Sequence, residues 1–169
     1  MNHVISVLVE NKPGVLARIS SMFARRGFNI HSLAVGPTAD PAMSRMTVVI
    51  DGPEMEQIIK QLYKLVHTVK VTELEVGDRI DREIMMVRVN AEPGRRAEIL
   101  EAARIFDAEP VDVGIATVTF VMSGEPARLA DFLELMRPYG ITDLAKSGRI
   151  AMAKDPKSKD AARTSLRSA

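Results

Sequence analysis

The stretch Glu10-Asn11-Lys12-Pro13-Gly14-Val15-Leu16, with Arg26-Gly27-Phe28-Asn29-Ile30-His31-Ser32-Leu33-Ala34-Val35 closing the helix it opens, decides the fold. Ahead of it, Val4 to Val9 is short, apolar and β-branched, which suits a strand buried on both faces. Val15, Leu16, Ile19, Met22 and Phe23 then recur at helical spacing. Pro13 sits where a first helical turn tolerates proline, and Gly27 where a left-handed C-cap is expected. Phe28 to Val35 reads as a second strand.

Outward from that unit the pattern continues. Gly36-Pro37 and Asp40-Pro41 mark a loop, and Ser44 to Asp51 reads as a third strand. Met55, Ile58, Ile59, Leu62 and Val66 mark a second helix, and Val69 to Val76 a fourth strand. The order β-α-β-β-α-β is the split βαβ, or ferredoxin-like, arrangement. Right-handed crossovers place both helices on one face of an antiparallel sheet ordered 4-1-3-2.

The charged joint Gly77-Asp78-Arg79-Ile80-Asp81 precedes a second run of the same kind. Glu83 to Val89 reads as a strand, Gly94 to Phe106 as a helix, and Val111 to Val113 with Thr117 to Met122 as two strands. Pro126 to Met136 reads as a helix, and Ile141 to Met152 as a last strand interrupted at Gly148. Displacing the chain by 80 residues lays Val7-Leu8-Val9 on Val87-Arg88-Val89 and Pro13-Gly14 on Pro93-Gly94. The copies differ at Val15-Leu16, which becomes Arg95-Arg96, and at Asn11, which becomes Ala91. The second copy keeps the frame and loses the pocket. The fold class expected is α+β, two tandem ferredoxin-like domains: residues 1–76, a linker over 77–82, and residues 83–153. Residues 154–169 have no apolar period and are expected to be disordered.

Composition narrows the function. Hydrophobic residues at 46% suffice for a core, and 27% charged residues suit an aqueous surface. Of the 23 basic and 22 acidic residues, five and two fall in the tail, which leaves 18 against 20 and a net of −2 for residues 1–153. A nucleic-acid binder would show the opposite, and a ferredoxin-like RNA binder would need stacking aromatics, which total only 4%. The absence of cysteine excludes a disulfide scaffold, a thiolate zinc site and a cysteine nucleophile. No apolar run approaches the roughly 18 residues of a membrane-spanning helix, and the start lacks a signal-peptide layout. No membrane association and a cytoplasmic location are expected.

At the centre of the first unit lies a helix N-terminus rimmed by small or amide side chains, where free N–H groups and the helix dipole favour an anion. The amides near Gly14, Val15 and Leu16 suit a carboxylate, and Gly14 leaves room for its approach. Asn11 and Asn29 each offer a donor and an acceptor to an ammonium and carboxylate held together, and Ile30 or Leu33 would fill an apolar slot. Asn-x-Pro-Gly also occurs as a plain turn and cap; Asn29 inside a strand, where asparagine is depleted, favours the pocket. Strand four carries Lys70, Glu73 and Glu75, charges that discourage edge pairing. Strand two, Asn29, Ile30, His31, Ser32, Leu33, Ala34 and Val35, carries no Lys, Glu, Asp or Pro. Two copies are therefore expected to pair there into one eight-stranded sheet, with the pocket between them.

Other constellations are weaker. His3, His31 and His67 lack metal-ligand spacing, and the methionines (Met22, Met46, Met55 and Met136 among them) fit core positions. Ser20-Ser21 has neither a strained turn nor a base. Arg25-Arg26, Arg95-Arg96 and Arg104 read as solvated helix faces or a partner surface. No catalytic set and no metal site emerge.

Asn11-Lys12-Pro13-Gly14-Val15-Leu16-Ala17-Arg18, Arg26-Gly27-Phe28-Asn29-Ile30, Ser44-Arg45-Met46-Thr47, Lys60-Gln61-Leu62-x-Lys64-Leu65, Arg82-Glu83-Ile84 and Ala145-Lys146-Ser147-Gly148-Arg149 together resemble the small regulatory subunit of acetolactate synthase (acetohydroxyacid synthase), a family built on the ACT domain. The likeness runs over roughly residues 2–153. It implies a chain with no active site that binds a catalytic large subunit, raises its activity and confers feedback inhibition by valine in branched-chain amino-acid biosynthesis. Thiamine diphosphate, Mg and FAD would belong to that catalytic subunit and no cofactor to this chain. The effector site implied lies between ACT domains and carries onto Asn11, Gly14 and Asn29, with Lys12, Pro13, Val15, Leu16 and Ile30 around them. Family members often carry an acidic residue after the position of Ile30, where this chain has His31. An ACT sensor serving another biosynthetic enzyme is the alternative.

Overall fold

The computed structural model describes residues 2–52 and 55–155. The tail expectation for 154–169 therefore lies, beyond Asp155, outside the described residues. Two compact units form: one runs to Ile80 and takes the chain back from Ile150, and the other is Asp81–Arg149.

In the first unit β1 (Asn2–Glu10) leads to α1 (Val15–Arg25), β2 (Ile30–Pro37), β3 (Met43–Asp51), α2 (Met55–Leu62) and β4 (Thr68–Glu73). The sheet order is β2-β3-β1-β4, all neighbours antiparallel, as the sequence predicts. The register of β1 on β3 runs from Asn2 opposite Asp51 to Glu10 opposite Met43. Ile5, Val7 and Val9 of β1 and Met46, Val48 and Ile50 of β3 face the helices, and Val15, Ile19 and Phe23 of α1 pack down onto them. Leu16, grouped by spacing with that stripe, is exposed instead: an 11-residue helix on a sheet buries only one narrow row. Gly27 adopts φ +71°, the left-handed turn that releases the chain from α1. The second helix ends four residues earlier than its spacing suggests, because the chain tightens into turns over Tyr63–Leu65.

The opposite face of this sheet is partly covered by the chain's own return. The last strand, β9 (Ile150–Ala153), returns to this unit, and Ala151 joins Val4, Val49 and Leu74 in a small buried cluster. The Ala151 amide donates to Thr47 Oγ1 at 3.3 Å, and the Lys154 amide to the Asp78 carbonyl at 2.9 Å. The sequence suggests one strand from Ile141 to Met152; the structure has two. Gly148, at φ +77°, turns the chain, and Ser147 is drawn off by bonds from the Ile84 amide to its hydroxyl and from that hydroxyl to the Gly148 carbonyl.

The second unit contains most of β5 (Arg79–Asn90), then α3 (Arg96–Ile105), β6 (Glu109–Val113), β7 (Thr117–Gly124), α4 (Pro126–Met136) and β8 (Ile141–Lys146) in the sheet order β6-β7-β5-β8. β5 alternates strictly, with Met85, Val87 and Val89 buried and Ile84, Met86 and Arg88 exposed. Phe132 of α4 meets Phe120 edge-on at 6.1 Å and Phe106 at 5.5 Å. The fold is two ferredoxin-like repeats.

Phe23 is fully buried at the centre of the first unit, so Phe23→Ala leaves a cavity that sheet and helix cannot close. A loss of about 3–5 kcal/mol is expected in the unfolding free energy of that unit. Urea unfolding followed by amide exchange in β1 and β3 checks it.

Candidate functional site

The turn between β1 and α1 is held by its own backbone. The Lys12 amide donates to the Glu10 carbonyl at 3.0 Å, the Val15 amide to the Lys12 carbonyl at 3.4 Å, and the Arg18 amide to the Gly14 carbonyl at 3.1 Å. Gly14 is the N-cap at φ +81°, a conformation that strains any residue with a Cβ. A Cβ there would meet no atom within 4 Å. Within the chain, it is the backbone conformation that requires glycine here. Helix α1 has no side-chain cap and no acidic residue in its first turn. The amides of Gly14, Leu16 and Ala17 have no backbone acceptor among the described residues. They open onto space, which is the electrostatic condition for an anionic ligand. Pro13 precedes the helix and is exposed, as are Asn11, Lys12 and Leu16; only Val15 turns into the core.

Asn11 ties this turn to the β2–β3 loop. Its amide donates to the Ala42 carbonyl at 2.7 Å and its Nδ2 to the Pro41 carbonyl at 3.1 Å, leaving the side-chain oxygen without a partner among the described residues. The Glu10 carboxylate receives Lys12 Nζ at 2.6 Å and His67 Nδ1 at 2.9 Å. These contacts, that with Lys12 foremost, hold the Glu10 carboxyl below the ordinary glutamate range.

The remaining expected residues lie elsewhere in the chain's fold. Pro37, Ser44 and Val9 stand side by side at the end of the sheet that carries the Asn11–Leu16 turn. Ile30, Ile50 and His3 stand together at the other end. Helix α1 spans about 16 Å between these ends, and β2 about 23 Å. Asn29 sits just ahead of β2, exposed, in the link from Gly27, and the strand runs on to Pro37 rather than stopping at Val35. One chain thus gathers Asn11, Lys12, Pro13, Gly14 and Leu16 and keeps Asn29 and Ile30 apart from them. His31, at a register shift in β2, meets Asp51 through Nε2 at 2.5 Å, so its acidic neighbour comes from β3. The outer edge of β2 carries no strand among the described residues.

The second repeat shows how the same turn is closed. Arg96 occupies the position of Leu16, and its guanidinium donates to the carbonyls of Ala91 at 3.1 Å, Gly114 at 2.8 Å and Ile115. Arg95 lies over the Tyr139 ring at 4.9 Å, and Tyr139 donates to Glu98 at 2.8 Å, a bond that raises the phenol's pKa. Gly94 there has no positive φ. The tether of Arg96 is legible in the substitution of Leu16 by arginine at the repeat distance, although its carbonyl partners are not.

The first unit, a ferredoxin-like fold whose first helix begins at a bare, glycine-capped turn, is an ACT domain by its family match. Residues 5–70 match the family described as an AHAS small subunit-like ACT domain, and residues 82–155 the family described as the small subunit of acetolactate synthase. A probable acetolactate synthase small subunit from Archaeoglobus fulgidus is 47% identical over 159 residues, covering 93% of this chain and 99% of that one. The acetolactate synthase small subunit of Mycolicibacterium smegmatis is 46% identical, covering 95% and 96%. The crystal structure of the Thermotoga maritima small subunit superposes with a TM-score of 0.84 at 34% identity, covering 92% and 98%. The chain belongs to the acetolactate synthase small-subunit family.

The Glu10 contacts carry a pH consequence. Because the folded pKa is depressed, the stabilisation is present above the unfolded value and is lost as pH falls through the folded one. Lys12→Ala removes the largest cause, so the carboxyl should titrate at higher pH, read from the Glu10 side-chain carbon by NMR. An unmoved curve would assign the depression to His67 instead.

Proposed function

We propose that this chain is a regulatory subunit: it binds the catalytic large subunit of acetolactate synthase, activates it, and feedback-inhibits it when valine occupies a cleft between two copies. The observation that carries this reading is the set of unpartnered amides at Gly14, Leu16 and Ala17, open to solvent at an uncapped helix N-terminus. They suit the valine carboxylate, with the helix dipole adding about 0.3–1 kcal/mol. The free side-chain oxygen of Asn11 suits the ammonium group.

Family membership supports the choice of partner, and topology supports the second copy. Antiparallel pairing of two β2 edges would bring Asn29 and Ile30 of one copy to the Pro37 end of the other, where its Asn11–Leu16 turn lies. No other arrangement along that edge reunites residues that one chain holds about 20 Å apart. Thiamine diphosphate, Mg and FAD would reside in the catalytic subunit. No helix among the described residues is long and apolar enough to cross a membrane, and we place the assembly in the cytoplasm. Slot size should separate valine from leucine or isoleucine by only about 1–3 kcal/mol per methylene, so related side chains should also act.

Gly14→Asp and Gly14→Asn share the strain of a left-handed residue, and only the first adds a negative charge. Both should still activate the catalytic subunit, with valine sensitivity abolished in the aspartate variant and weakened in the asparagine one. Undiminished valine sensitivity in Gly14→Asp would remove the pocket from this turn.

The β2 edge makes its own prediction. The chain should sediment as a dimer at micromolar concentration, and Val35→Lys, which charges an exposed position of the edge strand, should shift it to monomer and lower valine affinity in calorimetry. A wild-type monomer that still binds valine would refute the shared cleft.

A further inference from the structure

The helical face of the first unit carries a groove of about 410 Å³ between α1 and the end of α2. Arg18, Arg25 and Arg26 come from one side and Lys64 from the other, over a floor that includes the half-buried Met22 and Leu65. Arg18, Met22, Arg25 and Arg26 fall at i, i+4, i+7 and i+8 and so share one face of α1. No aspartate or glutamate occurs between Glu10 and Asp40, and none lines the groove.

These cations lack the counter-charges that many others in the chain have. In the second unit Arg82, Arg104, Arg128 and Arg137 each meet a carboxylate within 3.4 Å. On α2 the exposed Lys60 meets Glu56 at 2.6 Å. Arg18, Arg25, Arg26 and Lys64 have no carboxylate or carbonyl partner among the described residues. Like charges gathered without counter-charges repel one another, which is a cost in the free chain that a partner's acidic groups would relieve. Methionine and leucine between them supply an adaptable apolar seat.

We propose that this groove is the anchor point for the catalytic subunit, seating an acidic segment of that protein that also presents an apolar side chain. The proposal rests on the regulatory-subunit reading above and names the surface that reading leaves open. The two helices lie on one face of the sheet, and the β2 edge runs in its plane, so docking on the helices leaves the edge free for a second copy. The groove is an anchor rather than the whole interface, since a stable complex buries about 800 Å² per partner. A small polyanion such as a phosphate ester would also meet the cations, but it would leave the Met22–Leu65 floor unused.

The test uses the full chain and its catalytic subunit, with the double variant Arg25→Glu/Lys64→Glu and the milder Arg25→Gln/Lys64→Gln. Half-maximal activation should require on the order of tenfold more of the reversed variant, and less of an increase for the neutral one. Wild-type activation should weaken between about 50 mM and about 500 mM NaCl, with a shallower dependence in both variants. Valine binding to the isolated chain, read by calorimetry, should be unchanged, which also reports that the variants fold. Activation by the reversed variant at wild-type concentrations would overturn the proposal, as would wild-type activation indifferent to salt. So would binding of tripolyphosphate that the variants lose while activation is kept. A wild-type chain that never activates the catalytic subunit would instead remove the regulatory reading beneath it.

Discussion

The left-handed conformation of Gly14 governs the first unit. At φ +81° the chain leaves β1 and enters α1 without a residue whose side chain could cap the helix. The amides of the first turn therefore stay bare at the surface, a state that water tolerates and an anion improves. Helices usually resolve this with Ser, Thr, Asp or Asn at the N-cap. Here glycine fills that position and the first turn holds no acid, so stability is forgone at the point where a ligand would restore it.

The second repeat provides an internal control within one sequence. It has the same strand, Pro-Gly pair and helix, but Gly94 is not left-handed, and Arg96 folds its guanidinium across the start of the helix and takes up carbonyls from Ala91 and the β6–β7 loop. A long cation that stays home closes the space where Leu16 leaves it open. The two copies also differ in what stands two residues after the glycine. That residue is apolar and exposed in one copy and a tethered arginine in the other.

Much of this was legible because period carries direction. Alternation and helical spacing defined the element order, and the crossover rule then gave the sheet order with strand two at an edge. What escaped was decided by tertiary context. Leu16 matches the apolar spacing of α1, but a helix resting on a sheet buries a row narrower than the pattern. Asn29 follows Gly27 so closely that the link and the strand cannot be separated by propensity, and ends of elements drift by a residue or two in any case. The last strand looked continuous because Gly148 permits either a bulge or a turn; the bond from the Ile84 amide to the Ser147 hydroxyl, made across 63 residues, selects the turn. The separation of Asn29 from the Asn11–Leu16 turn is a property of the folded sheet and has no local signature at all.

That separation bears on how regulation could work. A cleft assembled from two copies is sensitive to the angle at which the copies meet, whereas a cleft within one chain is not. Valine held between bare amides on one side and Asn29 on the other would therefore favour one arrangement of the pair over another. Binding alone transmits nothing; only a difference in affinity between arrangements shifts their populations, and the catalytic subunit must feel the same difference in return. Helix α1 is suited to report it in the proposed assembly. Its N-terminus forms one wall of the cleft, its C-terminal link supplies Asn29 to the other copy, and its outer face carries the cations that await a partner. A rigid rod of about 16 Å fixed to the core by Ile19 and Phe23 moves as a unit. A change of angle at the cleft would thus reach the docking face without any rearrangement inside the domain.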